Sequence, residues 1–292
     1  MSAVLTILAP AKVNLALEAL GRRSDGYHEV RAVLQAVGLC DEVGLDPAAG
    51  LSLAVKPPGA APVEGNLALD AAKALRDAAG VRAGARITLA KRIPAAAGLG
   101  GGSSDAAAVL LGLRRLWGIS LPDEALAEVA ASLGSDVPFF LRGGTALATG
   151  RGADLEALPP PVEAYAVLLL ASDPPGPQAK TARLYGLLDA AHYSGGEATA
   201  EVARRLRAGE AVGAAEGNVF DAVAAQAHPG HDGRLRAFRD AGARNPCLAG
   251  AGPSLFALAG DAAEASAICE RLTAQGYDAC AAPVLSASEP FA

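Results

Sequence analysis

Four glycines, Gly98, Gly100, Gly101 and Gly102, fall within five residues of the stretch IPAAAGLGGGSSDAAAVLLGL at positions 93–113. A glycine inside a regular element costs about 0.5–1 kcal/mol relative to alanine, so such a cluster ahead of a helix asks for a reason. An apolar strand pattern precedes it and an Ala/Val/Leu helical run follows. Strand, glycine loop and helix N-terminus together form an anion-binding device. Backbone N–H groups approach phosphate oxygens, and the helix end adds roughly half a positive charge. Ser103 and Ser104 add hydroxyl donors, and a serine placed there can also reach a phosphate-bound magnesium ion. The lysine of a Walker A loop is missing and the spacing is not G-x-G-x-x-G. The bland alternative is a tight strand-to-helix connection without a ligand.

Other residues carry chemistry in less distinctive settings. Asp136, in GSDVP, lies just past a helix-ending glycine and reads either as a base or as a cap of the next turn. Lys12 and Asn14 sit in PAKVNLAL. Strand alternation puts Lys12, Asn14 and Ala16 on one face and Val13, Leu15 and Leu17 on the other, giving either a solvent-facing stripe or the floor of a polar cleft. Tyr27 and His28 follow the turn Asp25-Gly26 in a chain with only 4% aromatic residues, as an exposed pair or as a recognition pair. Tyr185 reads as a core aromatic at helical spacing with Leu184 and Leu188, or as a partner to that pair. Asn66 fits an N-cap. Gly250 and Gly252, in AGAGPS, predict a tight turn between two strands.

The elements that must position these residues follow from periodicity and punctuation. AVLTIL and KVNLALEAL read as two strands flanking Pro10, and EVRAVLQAVGL and DEVGLD as two more. LSLAV and ARITLAKRI are strands, the second ended by Pro94. NLALDAAKALRDAAG is a helix closed by Gly80. A helix spans roughly residues 104–117, and PDEALAEVAASLG is another. SDVPFFLRGG reads as a loop or short turn, and TALATGRGADLEAL as a hairpin. The three prolines of PPPVEA break the composition, which predicts domains at 1–158 and 159–292. After the break the order is strand, helices, two strands, helix, strand, a split β-α-β arrangement of ferredoxin type.

Composition narrows the function classes. The 292 residues are 51% hydrophobic and 19% charged with a net charge of −6, which predicts a folded chain rather than a disordered one; the strands and helices read above make its class α+β. The acidic balance and the lack of any Lys/Arg run longer than two disfavour a nucleic-acid or anionic-membrane surface. Cys40, Cys247, Cys269 and Cys280 are scattered and read as reduced thiols, with no metal site expected. The N-terminus lacks a basic region before its apolar part, and no apolar run reaches the ~20 residues of a membrane span. The expectation is a cytoplasmic protein, monomeric or homodimeric.

PAAAGLGGGSSDAAA resembles the second motif of the GHMP kinase superfamily. Its three consecutive glycines and SSDAA are similar to the branch of 4-diphosphocytidyl-2-C-methyl-D-erythritol kinases. APAKVNLALEALGRRSDGYHEV resembles that branch's first motif, LAGAGPSLFAL its third, and LGSDVPFFLRGGTALATGRG its catalytic-aspartate segment. The likeness runs from position 9 to about 259, and GNVFDAV departs from the usual Asn-Asp-(Leu/Phe)-Glu. The resemblance implies an N-terminal domain like ribosomal protein S5 and a ferredoxin-like C-terminal domain. It implies phosphorylation of the substrate's 2-hydroxyl by ATP with Mg2+, with no nucleic-acid or membrane partner. It makes Lys12 and Asp136 catalytic, with Lys12 stabilising negative charge on the moving phosphoryl group. It places ATP on Pro94, Ala95, Ala96, Ala97, Gly98, Leu99, Gly100, Gly101, Gly102, Ser103 and Ser104, with Asn66, Leu67 and Lys91 on the adenine side. The cytidyl substrate falls to Asn14, Tyr27, His28, Tyr185, Gly250 and Gly252: the two tyrosines sandwich cytosine and His28 reads its edge. The alternatives are another GHMP kinase, of homoserine or mevalonate type, and a non-catalytic nucleotide-binding relative. Those two substrates carry no base to stack, and retention of Lys12, Asp136 and both serines argues against the relative.

Overall fold

A computed structural model describes residues 5–172, 180–212 and 217–287. Its first half is built on two long strands, β1 (Leu5–Arg22) and β2 (His28–Ala48), which pair antiparallel along their whole length. The four strands expected there are therefore two; residues 3 and 4 of the first lie outside the described residues. Pro10 does not end β1, because a register shift between Pro10 and Ala11 absorbs its missing donor. The free edge of β2 then serves two partners. Its end pairs with β4 (Gly84–Ala90), which runs parallel to β3 (Leu51–Lys56), and its beginning pairs with β5 (Thr145–Thr149), which forms a hairpin with β6 (Asp154–Leu158).

Four helices complete this half: α1 (Leu67–Ala78), α2 (Gly101–Leu116), α3 (Asp123–Leu133) and α4 (Val137–Arg142). Asn66 caps α1 by accepting from the Ala68 N–H at 3.0 Å. Helix α2 packs on β1 and β2 with the other three around it, so its alanine run 106–108 is fully buried. Gly112 permits the close approach: a Cβ there would stand 2.3 Å from Leu45 Cδ1. Helix α2 starts three residues earlier than expected, so Gly101 and Gly102 are its first turn. SDVPFFLRGG is also more ordered than a turn, since Pro138 fits the first turn of α4 and Phe139 and Phe140 bury against the core.

The second half is a four-stranded antiparallel sheet of β7 (Tyr165–Leu169), β8 (Cys247–Leu248), β9 (Leu255–Ala259) and β10 (Ala279–Pro283). Its order, β10-β7-β9-β8, is the 4-1-3-2 arrangement of a ferredoxin-type split β-α-β unit. Helices α5 (Lys180–Tyr185), α6 (Glu197–Ala208), α7 (Ala224–Ala227) and α8 (His231–Asp240) lie between β7 and β8 in sequence, and α9 (Ala262–Ala274) connects β9 to β10. A second hydrophobic cluster joins the halves: Val13 and Leu15 of β1 bury with Leu168, Leu206 and Phe256. The chain then returns to the first sheet, where the Leu285 N–H donates to the Ala36 carbonyl at 3.0 Å. None of the described helices is long and apolar enough to cross a membrane.

Candidate active site

One cleft of about 1110 Å³ runs along the junction of the halves, lined by the glycine loop, the face of β1 near Lys12, the β1–β2 turn and Tyr185. The glycines of the loop divide by role. Gly98 and Gly100 have φ of +87° and +75°, which side chains rarely adopt. A Cβ on Gly100 would also meet Phe140 at 2.8 Å and Lys12 Cγ at 3.0 Å. Gly101 packs under Ile93, whereas Gly102 has only Leu67 Cδ1 within reach, at 3.9 Å, and opens to the cleft. The Lys12 N–H donates to the Leu99 carbonyl at 2.9 Å, which ties the loop to β1. Ser103 lines the cleft with Pro94, Ala95, Ala96 and Ala97. Ser104 points inward instead: it is fully buried and its Oγ has no hydrogen-bond partner among the described residues.

Lys12 and Asn14 do share a face, and the face belongs to the cleft. The Lys12 ammonium is buried, donates to Asn14 Oδ1 at 2.7 Å and stands 4.0 Å from Asp136 Oδ2. Burial pulls its pKa below the ordinary lysine value, and the charge of Asp136 offsets part of that. Asp136 is at the N-cap position of α4 yet makes no side-chain cap bond, so its half-exposed carboxylate stays available to the cleft. The predicted alternation fails beyond Asn14. A register shift between Asn14 and Ala16 leaves Leu15 as the extra residue. Leu17 therefore lines the cleft with Lys12, while Ala16 joins Val13 and Leu15 in the core.

Lys91 is tied more tightly than its cleft position suggests. Its ammonium donates to Asp105 Oδ2 at 2.6 Å and to Asp41 Oδ2, all three groups being buried. Asp41 Oδ1 also accepts from the backbone N–H groups of Arg92 and Ile93. Both ends of the glycine loop are thus clamped to β2. Burial pushes the Asp105 carboxyl up to about 7 against the pull of Lys91, and the nearby Asp41 charge adds to the rise. Asn66 and Leu67 border the same end of the cleft. Asp41 carried no local signal, because one acid at the end of an apolar strand looks like an ordinary solvent-facing residue.

The other end is aromatic. The exposed Tyr27 ring lies under the Arg151 guanidinium, 3.6 Å from Cζ to the ring centroid. His28 stacks on Tyr185, with centroids 4.6 Å apart and planes 19° from parallel, and Tyr185 meets Phe220 edge-on at 4.9 Å. Burial, with a smaller contribution from Asp136, raises the Tyr185 phenol to about 12, so it stays neutral. Tyr27, His28 and Tyr185 are thus brought to one wall, each already holding a neighbour.

The turn at residues 249–254 enters the cleft from β8 and β9. Gly250 approaches so closely that a Cβ would stand 2.6 Å from Lys12 Nζ. Gly252 does not line the cleft; it packs on Leu248 and His228 instead. Asn218 holds the turn by donating to the Leu248 and Gly250 carbonyls at 3.0 and 2.7 Å, and Asp221 accepts from the Leu248 N–H. These two residues come from GNVFDAV, whose departure from the family pattern hid a supporting role that is plain in three dimensions.

Residues 66–144 match the family model for the GHMP kinases N terminal domain. A 4-diphosphocytidyl-2-C-methyl-D-erythritol kinase from Dehalococcoides mccartyi is 42% identical over 276 residues, covering 94% of this chain and 96% of that protein. One from Pelotomaculum thermopropionicum is 42% identical over 274 residues, covering 92% and 93%. A crystal structure of a 4-(cytidine 5'-diphospho)-2C-methyl-D-erythritol kinase superposes with a TM-score of 0.77 at 34% identity, over 96% of this chain and 99% of that one. A homoserine kinase structure from Cytophaga hutchinsonii, at 21% identity and a TM-score of 0.69, covers 98% and 96% and shares the fold. With identity this high along nearly the full length and a cleft built from the same motifs, the chain belongs to the 4-diphosphocytidyl-2-C-methyl-D-erythritol kinase family, a branch of the GHMP kinases.

Proposed function

We propose that Lys12 and Asp136 carry the transfer of the ATP γ-phosphoryl group to the 2-hydroxyl of 4-diphosphocytidyl-2-C-methyl-D-erythritol. The observation that carries this assignment is the buried ammonium of Lys12, 4.0 Å from the half-exposed Asp136 and directly beside the loop that holds Gly100. As the substrate oxygen attacks phosphorus, its proton passes to Asp136, the bond to the ADP oxygen breaks, and Lys12 stabilises the charge spread over the phosphoryl oxygens. The first turn of α2 supplies N–H donors to the ATP phosphates. Asn66, Leu67 and Lys91 border the adenine, and Asn14 and Gly250 face the methylerythritol end.

The aromatic wall supports the cytidyl substrate over homoserine or mevalonate, which offer nothing to stack. In this reading Tyr27 and Tyr185 hold the cytosine and His28 reads its edge. Magnesium would arrive on the nucleotide phosphates, with protein oxygens such as the Ser103 hydroxyl, which lines the cleft, completing its shell. The domain boundary is placed after residue 158, which is supported by the end of β6 at Leu158 and the start of the second sheet at Tyr165. The test is an ATP-consumption assay with the cytidyl substrate beside homoserine and mevalonate. Turnover with the cytidyl substrate alone is expected; turnover only with either of the others overturns the assignment.

A further inference from the structure

Two polar groups near the aromatic wall have no part in phosphoryl transfer: the buried carboxylate of Glu18 and the phenol of Tyr193. Glu18 accepts from Ser194 Oγ, the Thr199 N–H and Thr199 Oγ1, each at 2.7 Å, and from the Ala198 N–H at 3.3 Å. It caps α6 from a different strand, because Gly196 at the N-cap has no side chain to do so. The Ser194 N–H also donates to the Ala19 carbonyl at 3.1 Å. The backbone beside Tyr193 is therefore pinned to β1 by the carboxylate and by a direct hydrogen bond.

What this anchoring presents is the Tyr193 hydroxyl, 3.2 Å from His28 Nε2, with the two rings edge-on at 5.8 Å and 67°. The stack on Tyr185 fixes the plane of the imidazole, and the Tyr193 contact fixes its rotation within that plane. His28 Nδ1 has no partner among the described residues, and His28 lines the cleft. Burial and the charge of Arg22 lower the His28 pKa, so near pH 7 the ring is neutral, with one N–H and one acceptor nitrogen. A neutral imidazole nitrogen accepts better than a phenol oxygen, so the shared hydrogen belongs to the tyrosine.

We infer that Tyr193 is a positioning residue for base selection: it donates to His28 Nε2, holds the imidazole as the Nδ1–H tautomer and so aims a donor at the base edge. A donor there meets the N3 acceptor of cytosine and is opposed by the N3–H of uracil. This rests on the reading of His28 as the residue that meets the base, and it assigns the choice of edge to a side chain that need not touch the substrate.

The test uses the full chain with 15N-labelled histidine. Nitrogen NMR of the parent should show His28 protonated at Nδ1, and Tyr193→Phe should give a tautomer mixture or Nε2–H. In kinetics with cytidyl and uridyl substrate analogues, Tyr193→Phe should narrow the ratio of kcat/KM values about tenfold through KM for the cytidyl substrate, leaving KM for ATP unchanged. His28→Ala separates the two ideas. If it collapses the ratio while Tyr193→Phe changes neither ratio nor tautomer, the role of Tyr193 is overturned and the reading of His28 stands. If His28→Ala leaves the ratio intact, the reading of His28 fails, and the selection role built on it fails too. Should Tyr193→Phe not fold, Ser194→Ala, which removes one anchor on Glu18, carries the same prediction at smaller amplitude; an unchanged tautomer and ratio there overturn it.

Discussion

Gly102→Val separates phosphate binding from folding more cleanly than any other change in the glycine loop. Gly102 is the second residue of α2, has no left-handed φ, and has only Leu67 Cδ1 near its Cβ direction. A Cβ there meets only an ordinary contact, with Leu67 Cδ1 at 3.9 Å, and removing glycine from a helical turn stabilises by about 0.4–1 kcal/mol where the backbone is compatible, as measured for alanine; valine's poorer helix propensity trims that gain. The melting temperature should hold or rise by roughly a degree or two. The same methyl groups enter the space where phosphate oxygens must meet the N–H groups of the first turn. Losing one charge-assisted hydrogen bond costs about 1.5–3 kcal/mol, or roughly 10- to 150-fold in ATP affinity. Calorimetric ATP titration and thermal unfolding of the same sample give both numbers. Gly100→Ala is the contrast: its φ of +75° and the 2.8 Å approach of Phe140 predict loss of stability as well. A folded Gly102→Val protein with parental ATP affinity would refute the loop as the phosphate site.

Asp136→Asn should preserve fold and ATP affinity and lower kcat by roughly 10²–10⁴; single-turnover kinetics showing more than half the parental rate would remove it as the base. Because burial lowers the Lys12 pKa, its charge is lost on the alkaline side at a lower pH than for an exposed lysine. The kcat/KM profile should therefore fall below the ordinary lysine value of 10.5, and Lys12→Arg should move that limb to higher pH. Tyr27→Ala should weaken the cytidyl substrate by roughly 1–3 kcal/mol, about 5- to 150-fold, with ATP affinity kept, as read by equilibrium titration. Asp41→Asn should destabilise by roughly 2–3 kcal/mol in denaturant unfolding, below the ~3–5 of a broken isolated pair because Asp105 still holds Lys91, and should raise KM for ATP.

What the residues disclosed in advance was chemistry confined to short stretches. The glycine loop was legible because its backbone demands leave few residue choices, and the Tyr27-His28 pair stood out against an aromatic-poor chain. The ferredoxin-like order of the second sheet followed from element order alone. Contacts between distant strands were hidden. The register shift between Asn14 and Ala16 depends on the pairing of β1 with β2 and turns Leu17 to the opposite face from the one alternation gives. Asp41 becomes a clamp only once β4 and α2 converge on it, and Asn218 becomes a support only once its segment bridges Leu17 and the turn between β8 and β9 comes within reach of its amide. Arg151, in a glycine-flanked turn, gave no sign that it would cover Tyr27.

The meshing of Gly98 with the turn at residues 249–252 has a mechanical consequence. A Cβ on Gly98 would lie 2.0 Å from the Ala249 carbonyl oxygen and 2.7 Å from the Gly252 nitrogen, and the Ser254 N–H donates to the Ala97 carbonyl at 3.2 Å. Backbone meets backbone with no flexible side chain between to take up slack. A joint without slack sets the spacing of the two halves by backbone alone, so the distance between the phosphate loop and this turn does not depend on how any side chain packs. Lys12 sits against both, its N–H on the Leu99 carbonyl and its ammonium beside Gly250. A change of one methyl group at Gly98 would therefore be felt at Lys12 as a shift of the frame that holds it.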